Sequence, residues 1–371
     1  MKHPSLYLDW YVHVPKLKYD LRSSGLQNFK HNIMLGEVDF SLNYAHGNPE
    51  TAKLLAQRYH VKPENVFVSS EGASGQNARI IRYLAEANPK KNEAIVEYPT
   101  YEPLLRLVQE YFPRVERLKR KDGDAFRLDA DELRKMTSEK TGLLVLTNPH
   151  LPSGALSDVD ELEEIMTVAR EHSFYVLCDE IYAEFRRKAV PTVFSVDNEL
   201  GIVTTSFTKA YGLGGLRAGV AIAKKGQVDE LYVDKLNSVG PSSNIVEMVI
   251  MKLLTEANAD LEKYQQKWLR LKKEAEKWLN EKGFKYSPNK VGITYWVKLP
   301  IKDTYHWTNE YAIPRFGLAA VPGAFFLFNR GYKLTRSSMI RLGLGGINPD
   351  GLGLEEAVEV FEKALDTYLP S

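Results

Sequence analysis

Ser206-Phe-Thr-Lys209-Ala-Tyr-Gly212-Leu-Gly214-Gly215-Leu-Arg217-Ala-Gly219 is the stretch from which the rest of the chain can be placed. It follows Ile202-Val-Thr-Thr205, an apolar, β-branched run that reads as a buried strand. A lysine at the end of such a strand is costly to bury unless it is paired or reactive. A desolvated lysine amine is also the group that forms a Schiff base with an aldehyde cofactor. Beside Lys209 stand the hydroxyls of Ser206 and Thr208, four glycines and Arg217. Hydroxyls, open backbone and a guanidinium are what a phosphate monoester binds. Lysine and cradle together describe a site for pyridoxal 5'-phosphate (PLP). A lone S-x-x-K more often marks a glycine-rich turn with its lysine in solvent, so the neighbouring stretches decide. A dinucleotide fingerprint is rejected, because Arg217 occupies the last position of the would-be G-x-G-x-x-G and no apolar helix pattern follows.

Working outward, each candidate strand ends in chemistry. Val66-Phe-Val68 runs into Ser69-Ser-Glu-Gly72-Ala73-Ser74-Gly75 and then a helix with Ala78, Ile81 and Leu84 on one face. A strand, a small-residue turn and a helix N-terminus present free N–H groups to an anion. Ala94-Ile-Val96 leads to Tyr101, an aromatic placed to stack on a planar ring or to pack under the following helix. Gly142-Leu-Leu-Val-Leu-Thr147 leads to Asn148-Pro149-His150-Leu151-Pro152-Ser153-Gly154. Phe174-Tyr-Val-Leu-Cys178 ends in Asp179-Glu180-Ile181-Tyr182. A carboxylate at a buried strand end needs a cationic partner, and a protonated ring nitrogen would supply one. Cys178 faces away from Asp179 in an extended strand and reads as core. Arg341 lies inside the apolar strand Ile340-Arg341-Leu342, where a bidentate carboxylate or an internal ion pair would satisfy it. Upstream, Asn43-Tyr44-Ala-His-Gly47-Asn-Pro49 is a turn before a helix at roughly 49–59.

In this order the motifs resemble those of class I/II aminotransferases, the aspartate aminotransferase family of fold type I PLP enzymes. The likeness covers about residues 40–345, and S-x-x-K-x-x-G-x-G-G-x-R-x-G around Lys209 resembles the family's cofactor-lysine signature. The resemblance implies an α/β fold: a large domain with a mostly parallel seven-stranded sheet flanked by helices, plus a smaller α/β domain. It implies an N-terminal arm at 1–40 that joins the small domain, a large PLP-binding domain at 41–260 and a small C-terminal domain at 261–371, with a linking helix at 259–282. Residue by residue, it implies that Lys209 carries PLP as a Schiff base and then acts as general base. Asp179 would keep the ring nitrogen protonated, Tyr182 would donate to O3', and Tyr101 would stack on the ring. Gly72, Ala73, Ser74, Ser206 and Arg217 would hold the phosphate, with Tyr44 reaching the phosphate of the neighbouring subunit. Arg341 would take the substrate α-carboxylate. One departure stands out: Leu151 occupies the position of the family asparagine that donates to O3'. Either Asn148 or His150 substitutes, or that oxygen has one donor fewer.

The activity the resemblance implies is transfer of an α-amino group to a 2-oxo acid, 2-oxoglutarate first among them, by a homodimer with active sites at its interface. The same cofactor chemistry also serves a β-eliminating C–S lyase and other α-carbanion enzymes, whose shared residues leave those alternatives open. A regulatory PLP-binding protein would need a helix-turn-helix domain before Tyr44, for which this chain has no room. The donor side chain is open too: Lys16, Lys18 and Arg22 could meet a second carboxylate, while Tyr7, Trp10, Tyr11 and Tyr19 suit an aromatic or apolar one.

The composition sets outer bounds. The 371 residues carry 49 Lys plus Arg against 48 Asp plus Glu, so no global field favours nucleic acid or an acidic membrane. A hydrophobic content of 44% suits a sizeable core. The one cysteine excludes an intramolecular disulfide. No window reaches about 18 consecutive apolar residues, and the N-terminus shows no signal-peptide core, so a cytoplasmic protein is expected. No histidine pairs with another ligand at metal spacing, so no metal site is expected.

Overall fold

The computed structural model describes residues 5–27, 29–41, 44–185, 191–256, 259–287, 289–329, 331, 333–348 and 353–369. Asn43, used in the sequence argument, lies outside the described residues. The strands are β1 (Tyr19–Ser23), β2 (Val66–Ser69), β3 (Glu93–Tyr98), β4 (Arg114–Lys119), β5 (Thr141–Thr147) and β6 (Tyr175–Asp179). They continue as β7 (Gly201–Ser206), β8 (Gly219–Ile222), β9 (Lys285–Tyr286), β10 (Thr294–Lys298), β11 (Leu318–Pro322) and β12 (Met339–Leu344). Among the described residues they form a seven-stranded sheet, ordered β2-β8-β7-β6-β5-β3-β4, and a five-stranded sheet, ordered β1-β11-β12-β10-β9.

In the large sheet β3 to β7 run parallel, and β8 alone runs antiparallel between β7 and β2. Parallel strands are covered on both faces and therefore read as unbroken apolar runs. Side chains alternate between the faces. Leu144, Leu146, Val176, Cys178 and Val203 meet Leu162, Ile165 and Met166 of the helix Val159–His172 on one face. Leu143, Val145, Leu177 and Ile202 meet helices α3 and α4 on the other. Counting the described N-terminal helix α1 (Leu6–His13) and α2 (Pro49–Tyr59), α3 is Gly72–Ala87 and α4 is Glu102–Tyr111. Cys178 accordingly lies in the layer opposite Asp179's face.

The five-stranded sheet gathers both ends of the chain. β1 pairs in parallel with β11, Tyr19 opposite Leu318, and with β12, Arg22 opposite Gly343. The long helix Ala259–Glu281 lays Tyr264, Trp268, Leu271, Ala275 and Leu279 against this sheet's core. It ends before Gly283, whose φ of 66° suits a residue without a side chain.

Several elements differ from expectation. α1 and β1 lie where the sequence suggested only an arm; the clustered aromatics of Leu6–His13 show no clear helical period, and Ser5 supplies the N-cap. β4 is a charged edge strand, the pattern by which sheets discourage further pairing, and so lacks an apolar signature. The helix that begins at Thr304 is interrupted by a π-helical segment, Trp307–Ala312, that continues into Ile313–Phe316. Among the described residues no helix is long and apolar enough to cross a membrane.

Candidate functional site

The carboxyl ends of β2, β3, β5, β6 and β7 meet along one edge of the large sheet, as does the loop entering β8. Open α/β sheets place ligands at such an edge. Asp179 closes β6 and turns towards α3. Asn77 Nδ2 donates to its Oδ2 at 2.8 Å and the Ile181 N–H donates to its Oδ1 at 3.1 Å. The Thr204 hydroxyl donates to Asn77 Oδ1 at 2.6 Å, fixing the amide's orientation. Burial pushes the Asp179 carboxyl up; the hydrogen bonds from Asn77 and Ile181 and the charge of Lys209 hold it down.

Lys209 stands three residues past the end of β7. Burial first, then the Arg341 charge and more weakly that of Arg217, lower its amine to about 8, with Asp179 opposing them. Its backbone carbonyl accepts from the Leu26 N–H at 2.9 Å. A Cβ on Gly25 would lie 2.8 Å from Lys209 Cδ, so the chain after β1 approaches the lysine stem closely.

The glycine loops interlock. The Gly72 N–H donates to the Arg217 carbonyl at 2.7 Å, and a Cβ on Gly219 would sit 2.5 Å from the Gly72 carbonyl oxygen. Gly72 has a φ of 69°, and a Cβ there would fall 2.7 Å from Arg217 Nη2. The Arg217 guanidinium donates to the carbonyls of Gly214 (3.2 Å) and Glu71 (3.4 Å) and is exposed at the mouth of α3. α3 begins at Gly72 without a side-chain cap, and with the Gly72 amide on Arg217 it leaves the Ala73 and Ser74 amides without an intrahelical partner. Ser206 is buried and its Oγ accepts from the Thr208 N–H at 3.2 Å.

Arg341 is 1% exposed. Its Nη2 donates to the Arg22 carbonyl at 2.7 Å and to the Tyr7 hydroxyl at 3.3 Å, while Nε has no partner. Among the described residues no carboxylate pairs with it, so the internal ion pair considered from sequence is absent there. Tyr182 is buried, which pushes its hydroxyl up to about 12 against the Arg341 charge and a hydrogen bond to Ser24.

Lys209, Asp179, Tyr182, Tyr101, Ala73, Ser74, Arg217 and Arg341 line one cavity of about 330 Å³. Gly72 and Ser206 do not line it. Tyr44 lies apart, in the turn where its carbonyl accepts from the Gly47 N–H. Asn148 does not line the cavity either. Its amide closes the loop on Ser157, with Oδ1 accepting at 3.0 Å and Nδ2 donating at 3.4 Å. Both His150 ring nitrogens are engaged, with the Ser153 hydroxyl at 2.6 Å and the Pro99 carbonyl at 3.0 Å. Neither side chain compensates for Leu151, which lines the cavity at 6% exposure. The arm cations are spent elsewhere: Lys18 pairs with Glu356 at 3.3 Å, and Arg22 forks onto Asp20 at 3.0 and 2.8 Å. Lys16 does not line the cavity.

Sequence reasoning missed Ser24, Gly25 and Asn77, and named Tyr7 only as one of the arm aromatics that suit an aromatic or apolar substrate. Tyr7, Ser24 and Gly25 come from the arm, whose path depends on pairing with β11 and β12. Asn77 carried a signal, being a polar residue on the apolar face of α3 that needs a buried partner.

The donor set suits PLP. Open amides, hydroxyls and a guanidinium meet at one end, a buried amine of lowered pKa lies beside them, and a buried carboxylate and an aromatic face complete the cavity.

A family model described as aminotransferase class I and II matches residues 27–358. An aspartate aminotransferase of Pyrococcus abyssi is 28% identical over 254 residues, 66% of this chain and 62% of that one. The match therefore spans less than two thirds of that relative's length. Aromatic-amino-acid aminotransferase 2 of Thermococcus litoralis is 26% identical over 301 residues, 78% of this chain and 74% of the relative. Among solved structures, a PLP-dependent aminotransferase from Streptococcus suis superposes with a TM-score of 0.83 over 100% of both chains at 22% identity. An aromatic aminotransferase from Pyrococcus horikoshii gives 0.80 at 21% identity, over 98% of this chain and 99% of the other. At these identities the structures speak for the fold.

Proposed function

The chain belongs to the aminotransferase class I and II family, whose cofactor is PLP, and on that premise we propose that it moves the α-amino group of an amino acid to a 2-oxo acid, with 2-oxoglutarate as acceptor. The observation that carries this reading is the pairing, in one cavity, of an amine lowered to about 8 with a buried guanidinium that has no carboxylate partner among the described residues.

PLP bound here supplies an electron sink for the pair left when a bond at the substrate α-carbon breaks. Lys209 Nζ would be the amine that holds the cofactor aldehyde and, when free, would serve as the base that moves the α-proton; an amine brought towards neutrality suits both tasks. Arg341 holds the α-carboxylate bidentately and so fixes which bond stands towards Lys209. Asp179, oriented by Asn77 and Ile181, holds a proton on the ring nitrogen. Ser74, Ser206, Arg217 and the Gly72–Ala73 backbone take the phosphate, Tyr182 donates to the phenolic oxygen, and Tyr101 covers the ring. On this reading residues 41–260 form the large domain, and 1–40 with 261–371 the small one. A homodimer would bring Tyr44 to the partner's phosphate; exposed Met34 and Phe40 in the same segment support a covered face there.

The test is a half-reaction. PLP-loaded protein is mixed with single amino acids while the visible band and the oxo acid product are followed. Conversion of the band with release of one equivalent of oxo acid supports transamination. A band that persists while ammonia and pyruvate accumulate from cysteine or a β-substituted alanine would replace it with the lyase reading.

A further inference from the structure

We infer that the cavity is shaped for an amino acid with an apolar or aromatic side chain, and that Tyr7 of α1 sets this preference. The reaction involved rests on the transamination reading; the shape of the pocket does not.

α1 is docked by its own N-terminus. The N–H groups of Leu6 and Tyr7 each donate to the Glu102 carboxylate at 3.3 Å, and the Ser5 hydroxyl donates to it as well. Glu102 is 1% exposed and is backed by Arg106 Nε at 2.6 Å. A buried carboxylate between a helix N-terminus and a guanidinium is satisfied on both sides, so the contact is fixed in place. At the other end of α1, Trp10 Nε1 donates to Asn309 Oδ1 at 2.7 Å. The helix thus bridges the start of α4, directly after Tyr101, and the interrupted helix after Thr304.

This docking sets Tyr7 into the cavity. Its ring meets Tyr101 edge-on at 5.5 Å and Phe325 at 5.9 Å, and its hydroxyl lies 3.3 Å from Arg341 Nη2. A carboxylate on Arg341 therefore lies beside Tyr7. The cations that line the cavity are Lys209, Arg217 and Arg341, and each has its task in the proposed reaction. The wall left for a substrate side chain is Tyr7, Leu8, Leu151 and Ile181, with the hydroxyls of Ser24 and Thr147. A second carboxylate would be desolvated there without a counter-charge. An aromatic ring would instead gain edge contacts with Tyr7. Leu8 is 42% exposed and marks the mouth, so the longer 2-oxoglutarate can carry its distal carboxylate towards water where a four-carbon dicarboxylate cannot.

The experiment uses the PLP-loaded full chain. It is titrated with phenylalanine, leucine and aspartate while the visible band is followed. It is also titrated with the unreactive acids 3-phenylpropionate and succinate, which perturb the band by binding alone. Phenylalanine should half-convert the band at a concentration roughly tenfold or more below aspartate, with the two inert acids in the same order. In Tyr7→Ala the phenylalanine value should rise roughly tenfold with a smaller change for aspartate, while Tyr7→Phe keeps the preference. Aspartate matching phenylalanine, or succinate matching 3-phenylpropionate, would overturn the inference. Should no amino acid convert the band while 3-phenylpropionate still binds more tightly than succinate, transamination falls and the pocket assignment stands.

Discussion

Lys209 shows how far single residues could be judged in advance. Its strand-end position and hydroxyl-rich surroundings marked it as reactive, but the size and cause of its shift needed the fold. Arg341 lies 132 residues away in sequence numbering, 341 against 209, and its charge is the second cause of the lowered amine after burial. The sign gives a testable pH dependence. A folded value of about 8, against an ordinary 10.5, means the amine is half neutral at about pH 8 and mostly neutral above it, where an ordinary lysine would still be charged. Capture of added PLP by cofactor-free protein needs the neutral amine. Its rate should therefore climb with a midpoint near pH 8 and level off above it, read by stopped-flow absorbance; a midpoint near 10.5 would remove the argument from burial and neighbouring charge. Leu151 was legible as a departure, but what surrounds it was not. The commitments of Asn148 to Ser157 and of His150 to Ser153 and Pro99 arise from a loop closing on itself.

At the scale of elements, the edge of the large sheet is held by a buried ion pair outside the cavity wall. Glu97 at the end of β3 pairs with Arg120 after β4 at 2.8 Å, and both side chains are essentially unexposed. Glu97 also accepts from the Thr147 N–H at 2.7 Å, and Arg120 donates to the Phe126 carbonyl at 3.0 Å. The pair thus ties β3 and β4 to the end of β5, from which the Leu151 loop departs. Burial pushes the Glu97 carboxyl up to about 7, with Arg120 the main opposing influence. Arg120→Met should cost about 3–5 kcal/mol in urea denaturation, because it leaves a buried carboxyl without its partner. Glu97→Gln in the Arg120→Met background should recover part of that loss. A cost below about 1 kcal/mol for Arg120→Met would show that the pair is not holding the strand ends. The parallel strands were visible in sequence because two-sided burial writes continuous apolar runs, as in Leu143–Leu146. β1 and α1 were not, since their partners are distant in sequence: Leu318 and Gly343 for β1, Glu102 and Asn309 for α1. Neither element carries its own periodic signal.

For the whole molecule, the order of motifs along the chain was enough to anticipate a mostly parallel sheet with its chemistry at the strand ends. What it could not supply was the way the two ends of the chain close over that edge. Tyr7, Ser24 and Arg341 come from segments on either side of the large sheet in sequence, and they meet only because β1 pairs with both β11 and the strand that bears Arg341. Long-range parallel pairing leaves no local signature, so the substrate-facing half of the cavity was the less legible half. The most direct test of the account is to find where PLP attaches. Protein loaded with PLP is reduced with borohydride, digested, and its peptides are mapped by mass spectrometry. The account predicts one modified residue, Lys209, and loss of both the label and the visible band in Lys209→Ala. A label on another lysine, or a Lys209→Ala protein that reduces and labels like the parent, would contradict it.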